Sequence, residues 1–306
     1  MTAVHDVIVI GGGAAGLSAA LMLGRARRRT LVLDAGEPRN APSPASHGVF
    51  TRDGAAPAEL LREARAQLAP YTTVTLRDTA AAAARRLDGG FEVDLAGGGQ
   101  ARARRLLLAV GVRDELPAID GLAALWGTRV LHCPYCHGWE VRDQPLAVHL
   151  PDRSSVPLLT LLLGWTHDLL VSADSPACLS DEERQLLAAR GIAVVETPLS
   201  RVAAWKDGLR LEFADGRIES RRALFLRPPH VIRGSLPRSL GCELTEAGYL
   251  RVGQDHQTSV PGVYAAGDAA GPLHQVLTAA ALGQQAAMAL NRDLAEVDFR
   301  GSGAAP

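Results

Sequence analysis

An α/β protein of two three-layer units, one inserted into the other, is the architecture this sequence predicts. Three observations carry that expectation. The chain opens with strand, glycine turn and helix between Val7 and Leu23; a second strand–turn–helix rhythm begins at Leu146; and a late strand ending in Gly267-Asp268, followed by a helix, completes the first unit. Both units then have the order of a Rossmann-like dinucleotide-binding domain.

Val7-Ile8-Val9-Ile10 is a β-branched run of buried-strand type, and Leu17 to Leu23 is helix-forming. Between them stands Gly11-Gly12-Gly13-Ala14-Ala15-Gly16. Gly11 permits the tight turn, Gly13 lets backbone N–H groups approach a pyrophosphate, and Gly16 allows the helix to pack closely on the strand. A second strand, Thr30 to Leu33, ends at Asp34, about twenty residues past the glycines, where a carboxylate accepts hydrogen bonds from a ribose. A helix from Ala58 to Leu68 and a hairpin from Leu87 to Leu107, with turns at Gly89-Gly90 and Gly97-Gly98-Gly99, follow. The buried strand Arg105 to Gly111 ends in small residues, which lets backbone pass close to a bound dinucleotide.

Composition narrows the function. At 306 residues, with 47% hydrophobic residues and a formal charge of −1, the chain has room for about two cored domains. Lys206 is the only lysine, and arginine and acidic residues alternate without a basic face, so nucleic acid is not an expected partner. Met1 leads directly into an apolar strand, and the longest apolar stretch, Leu158 to Trp165, is far too short to span a bilayer; a cytoplasmic protein without membrane association is expected. In that reducing compartment Cys178 and Cys242 read as structural thiols.

Cys133-Pro134-Tyr135-Cys136 needs a chemical explanation. Thiols separated by two residues can close a disulfide and reopen it, which is redox chemistry if a partner exchanges two electrons. No second such pair or spaced histidine pair accompanies them, so no metal site is expected.

With these motifs the chain resembles the two-dinucleotide flavoprotein disulfide reductases, in particular the low-molecular-weight thioredoxin reductases. The resemblance covers nearly the whole chain and implies FAD. It would assign FAD contacts to Gly11, Gly13, Ala14, Gly16, Asp34, Ala35, Asn40, Ala109, Gly111, Gly267, Asp268 and a helix start at His274-Gln275-Val276, the helix running to about Leu290. His47 lies in the long loop after Asn40 that the family brings over the flavin. Homodimers are common in the family. Within the resemblance, Cys136 would be the thiolate against the flavin, and Cys133 the outer sulfur that meets substrate. The family usually carries Asp after the second cysteine; here stands His137, an acid or base near neutral pH whose cation would stabilise a thiolate. His132, on the other side, is a weaker candidate.

The middle of the chain departs from the family. After the strand Leu146 to Leu150 the glycine turn is replaced by Pro151-Asp152-Arg153-Ser154-Ser155-Val156-Pro157, then a helix from Val156 to Trp165 and a strand from Asp168 to Ser172. Prolines lack the N–H donors that cradle a pyrophosphate, and Asp174 would oppose the 2′-phosphate of NADPH. Ala223 to His230 lacks the expected glycine at its strand end. The expectation is a fold retained with NADPH binding weak or absent.

That loss sorts the functions. In the first expectation electrons run outward, from a small dithiol substrate through Cys133 and Cys136 to FAD and dioxygen, as in the gliotoxin- and holomycin-type dithiol oxidases, which the pattern of Cys133 to Glu140 resembles. In the alternative they enter from ferredoxin, or less favourably NADPH, and leave to a thioredoxin-like protein or another disulfide. The expected division is residues 1–116 and 241–306 for the FAD domain and 117–240 for the central domain. Within the latter, Ser180 and Gly191 cap a helix from Asp181 to Arg190, and a hairpin turns at Asp215-Gly216. A frayed tail is expected from Gly301 to Pro306.

Overall fold

The computed structural model describes residues 4–302. The first unit runs β1 (Val4–Ile10), α1 (Ala14–Arg25), β2 (Thr30–Asp34), α2 (Pro57–Ala66), β3 (Val74–Asp78), β4 (Ala81–Leu87), β5 (Gly90–Leu95) and β6 (Gln100–Leu108). Strand β7 (Val112–Asp114) leads out of it. The inserted unit contains α3 (Leu122–Leu125), β8 (Val130–Leu131), α4 (Pro134–His137), β9 (Leu146–Leu150), α5 (Val156–Leu162), β10 (Leu169–Ala173), α6 (Asp181–Ala189) and β11 (Ala193–Val195). It continues through β12 (Leu199–Trp205), β13 (Gly208–Phe213), β14 (Ile218–Arg221) and β15 (Ala223–Phe225). The chain returns through β16 (His230–Ile232) and α7 (Leu236–Ser239) to β17 (Val263–Ala265) and α8 (Val276–Ser302).

Period-two alternation decides how the first sheet is buried. Along β1, Val7 and Val9 join a core with Leu17 and Leu23 of α1 and Leu290 of α8, while Ile8 and Ile10 face a second core with Phe91 and Val93 of the β4–β5 hairpin. One face is therefore covered by helices and the other by β-structure and the 236–269 segment. The order is β3-β2-β1-β6-β5-β4, with β17 also on β6. Strand β6 serves both neighbours by length: Gln100 to Ala103 pair antiparallel with β5, and Leu106 to Leu108 pair parallel with β17.

The inserted unit repeats the plan. Its parallel sheet, β11-β10-β9-β15-β8, packs α5 and α6 on one face and the antiparallel β12-β13-β14 meander on the other. Ser180 and Glu183 form a capping box at the start of α6, as their spacing predicts. The two passages between units, β7 and β16, pair antiparallel with His230 opposite Asp114.

Several element boundaries differ from expectation. The last helix starts at Val276 rather than His274, because Gln275 is its cap residue, accepting from the Ala279 N–H at 2.8 Å. It also continues past Leu290 to Ser302, where Asn291, Asp293 and Asp298 accept hydrogen bonds from Arg28, Arg105 and Arg104. Gly301 and Ser302 thus belong to the helix, and the rest of the expected tail lies outside the described residues. The strand read from Thr258 shrinks to Val263–Ala265, because Pro261-Gly262 turns the chain, with Gly262 at φ +84°. Helix α5 stops at Leu162 rather than Trp165.

Candidate functional site

A cavity of about 1140 Å³ opens where β1, β2, β6 and β17 end. Gly11, Gly13, Ala14, Asp34, Ala35, Asn40, His47, Ala109, Gly111, Gly267, Asp268, His274, Gln275 and Val276 all line it, and so do Cys133, Cys136 and His137. Residues from both units are thus brought to one space. Gly16 alone of the anticipated contacts does not line it. A side chain there would overlap the Gly11 carbonyl and lie 3.3 Å from Val9 Cγ1, so this glycine serves the packing of α1 on β1.

The glycine turn makes a cradle. Gly11 is left-handed at φ +109°, and a Cβ on it would strike the Ala109 backbone; a Cβ on Gly13 would meet nothing within 4 Å, so the open side of the turn faces the cavity. Gly267, at φ +79°, would put a Cβ 2.9 Å from that of Ala15, and Gly283 of α8 meets the Ala15 backbone. Turn, α1 and α8 therefore converge, and the first N–H groups of α1 have no partner within the helix. An anionic pyrophosphate fits such a place. Asp34 accepts from Arg65 and from the Gly36 N–H at 3.2 Å.

Arg39 was not singled out by sequence reasoning, yet it organises the middle of the cavity. Its Nε and Nη2 donate to Asp114 at 2.9 and 2.5 Å, and its Nη1 donates to Asp268 at 3.2 Å and to His274 Nδ1 at 2.6 Å. Because an arginine only donates, His274 is held as the Nε2–H tautomer. Its ring packs edge-on to His230 and Tyr249, with centroids 5.4 and 5.7 Å away. The only signal in the sequence was the position of Arg39 beside Asn40.

Cys133 occupies the cap of the four-residue helix α4, with Pro134 at its first position, and both thiols are free. Gln275 Nε2 reaches both sulfurs, at 3.3 Å from Cys136 and 3.5 Å from Cys133. The Cys133 thiol is lowered to about 7, first by the hydrogen bond from Cys136 and, against burial, by the Cys136 and Tyr135 N–H groups and the Gln275 amide. Cys136 is pushed the other way, by holding the proton shared with Cys133 and by burial. The proton the pair shares is thus drawn to Cys136, with Cys133 the lower of the two thiols; the sequence reading placed the flavin-side thiolate on Cys136. On the outer side, Gly138 abuts the Trp165 indole and Tyr135 meets the same ring edge-on at 5.6 Å, which fixes α4 to the inserted unit.

The histidines divide. Burial, and next to it the nearby His47, lower the His137 pKa despite Glu140, so His137 is neutral near pH 7 and suits a proton acceptor. That direction disfavours the thiolate-stabilising cation expected from the residue type. His132 is held at about 4 by burial and Arg39, which makes it a poor base. His47 lies 3.4 Å from Glu140 and 3.4 Å from Asp53.

At the turn after β9 two backbone donors are already used, those of Ser154 and Ser155, the latter donating to the Asp152 carbonyl at 3.3 Å. Asp152 caps the short turn Arg153–Ser155, its Oδ1 accepting from the Ser154 N–H at 2.8 Å and the Ser154 hydroxyl at 2.5 Å. Arg153 pairs with Glu183 at 3.1 Å.

The sequence pattern of the pyridine nucleotide-disulphide oxidoreductases matches residues 5–154 and 170–287. The chain is 33% identical over 306 residues to "Thioredoxin reductase sirT" of Leptosphaeria maculans, covering 94% of each protein. Among solved structures it is similar to an oxidoreductase from Agrobacterium tumefaciens, at 37% identity and a TM-score of 0.90 over 95% of this chain and 99% of that one. It is also similar to HlmI, at 39% identity and a TM-score of 0.92 over 99% of this chain and 96% of that one. Two α/β units joined by a paired ribbon, with a glycine cradle and a dithiol facing one cavity, accord with these likenesses, and the chain belongs to the pyridine nucleotide-disulphide oxidoreductase family as a thioredoxin-reductase-like flavoprotein disulfide oxidoreductase.

Proposed function

We propose that the protein oxidises a small dithiol through Cys133 and Cys136, with FAD in the cavity and dioxygen as the final acceptor, and without NADPH. The observation that carries this reading is Asp152, whose carboxylate takes the Ser154 N–H at the turn where the second nucleotide's pyrophosphate would sit. A phosphate arriving there would have to displace a fixed negative charge, next to Pro151 and Pro157. The family pattern also leaves residues 155–169, and with them α5, unmatched.

Gly11, Gly13, the start of α1, Asp34 and Asp268 would hold the FAD, with Arg39 offsetting its charge. Bound there, FAD supplies the two-electron exchange that the thiol pair requires. A substrate thiolate attacks the sulfur of Cys133 in the Cys133–Cys136 disulfide, and the released Cys136 takes up a proton, in keeping with its raised affinity for one. His137, neutral and half-buried next to Cys136, accepts the proton of the second substrate thiol and passes it to Cys136. The second thiolate then closes the substrate disulfide and frees Cys133.

Anaerobic titration of the purified protein is the test. Bleaching of the flavin bands by dithiols and not by NADPH is expected; bleaching by stoichiometric NADPH overturns the reading. A second reading, reduction of a thioredoxin-like protein fed by ferredoxin, draws support from relatives named thioredoxin reductase. Reduction by a ferredoxin followed by transfer to thioredoxin would select it. We further propose a cytoplasmic homodimer and a division at residues 117 and 241, each C-terminal to one strand of the β7–β16 ribbon. Among the described residues, no helix is long and apolar enough to cross a membrane.

A further inference from the structure

Gln275 comes from the C-terminal part of the chain and Cys133 and Cys136 from the inserted unit, yet its Nε2 stands 3.3 Å from one sulfur and 3.5 Å from the other. A primary amide carries two N–H donors, one for each sulfur. Its backbone is fixed as the cap of α8, where its carbonyl accepts from Ala279 at 2.8 Å. Among the described residues, no other side chain outside the pair donates a hydrogen bond to either sulfur.

We propose that Gln275 is a catalytic residue of thiol–disulfide exchange, its two amide protons stabilising the negative charge on whichever sulfur bears it. The proposal rests on the reading of Cys133 and Cys136 as the exchanging pair. Viewed in the reductive direction, the Cys133 thiolate attacks a disulfide R–S–S–R′, the Cys133–S–R bond forms, and R′–S⁻ leaves and takes the Cys136 proton. The Cys136 thiolate then attacks Cys133, closing their disulfide and releasing R–S⁻, so that two electrons pass from the pair to the substrate. Dithiol oxidation is the same sequence reversed. The charge sits on Cys133 at one stage and on Cys136 at another, and a donor touching only one sulfur would serve only one stage. By favouring thiolates over disulfide, Gln275 also makes the pair a better oxidant.

The test uses the holoprotein and the variants Gln275→Met, of similar length without an amide, and Gln275→Glu, of the same shape without N–H donors. Two readouts are the pH dependence of Cys133 alkylation after anaerobic phosphine reduction, followed by mass spectrometry, and the dithiol–disulfide equilibrium of the pair against glutathione. In Gln275→Met the apparent thiol pKa should rise by about one unit and the equilibrium should move about tenfold toward the disulfide; Gln275→Glu should exceed both. Either variant alone decides. An unchanged Gln275→Met, or a Gln275→Glu protein whose pKa is no higher than the parent's, overturns the proposal, the latter because it would mean that the side chain accepts from the thiols. A parent protein that never loses the mass of two hydrogens on oxidation refutes the redox pair itself, which is a separate failure.

Discussion

Arg39 and Asp114 meet fork to fork, with Nε–Oδ2 and Nη2–Oδ1 separations of 2.9 and 2.5 Å, and so tie the loop after β2 to the ribbon that carries the chain between its two units. Their side chains are only 18% and 8% exposed, so removing one partner strands a poorly hydrated charge. Arg39→Met should therefore cost about 3–5 kcal/mol, because both Asp114 and Asp268 lose their partner. Urea denaturation followed by far-UV circular dichroism measures it, and a loss below about 1 kcal/mol would mean that the fork is solvated.

Thiol reactivity should follow the charge distribution in the pair. Alkylation of Cys133 should rise from roughly pH 6 to pH 8, because the thiolate is the nucleophile and its fraction grows as pH passes the lowered pKa. Cys136→Ala removes the first-ranking cause of that lowering, so the profile should move to higher pH. A profile that stays in place would show that the backbone N–H groups suffice.

Asp152→Ala removes a cap and, with it, the negative charge at the turn after β9. It should lower stability by about 1 kcal/mol, seen as a reduced melting temperature, with dithiol turnover intact. Because Pro151 and Pro157 remain, the variant should still fail to be reduced by NADPH.

Gly283→Ala places a methyl group against the Ala15 backbone, whose C and Cα would be 2.8 and 2.9 Å away. Helix α8 must shift from α1, at a cost of about 1–3 kcal/mol. The same shift disturbs the cradle, so flavin should be lost more readily on dialysis than from the parent protein.

How legible all this was depended on distance along the chain. The strand, glycine turn and helix around Gly11 to Gly16 are set by neighbours, and they appear where the residue pattern puts them. The Ser180–Glu183 capping box is local in the same way. Gln275 and Cys136 are 139 residues apart, and Arg39 and Asp114 are 75 apart. Nothing in the local pattern of either partner announces the other; topology brings them together. How the two thiols share their proton is illegible for a related reason, since it depends on which sulfur caps α4 and on the thiol and amide donors around them. His137 reads as a switchable cation from its type, and its partial burial, which depends on the fold, disfavours that form.

Strand β6 pairs with β5 through its first residues and with β17 through its last, and β17 lies more than 150 residues downstream. During synthesis the inserted unit, complete by β15, leaves the ribosome while the outer end of β6 still lacks its neighbour. Both cysteines are then already placed, but Gly267, Asp268 and Gln275 have not emerged. The cavity wall is closed by a segment translated after the inserted unit, so prosthetic-group capture must follow that unit's synthesis, and a truncation before α8 should yield a folded middle with an unfinished rim.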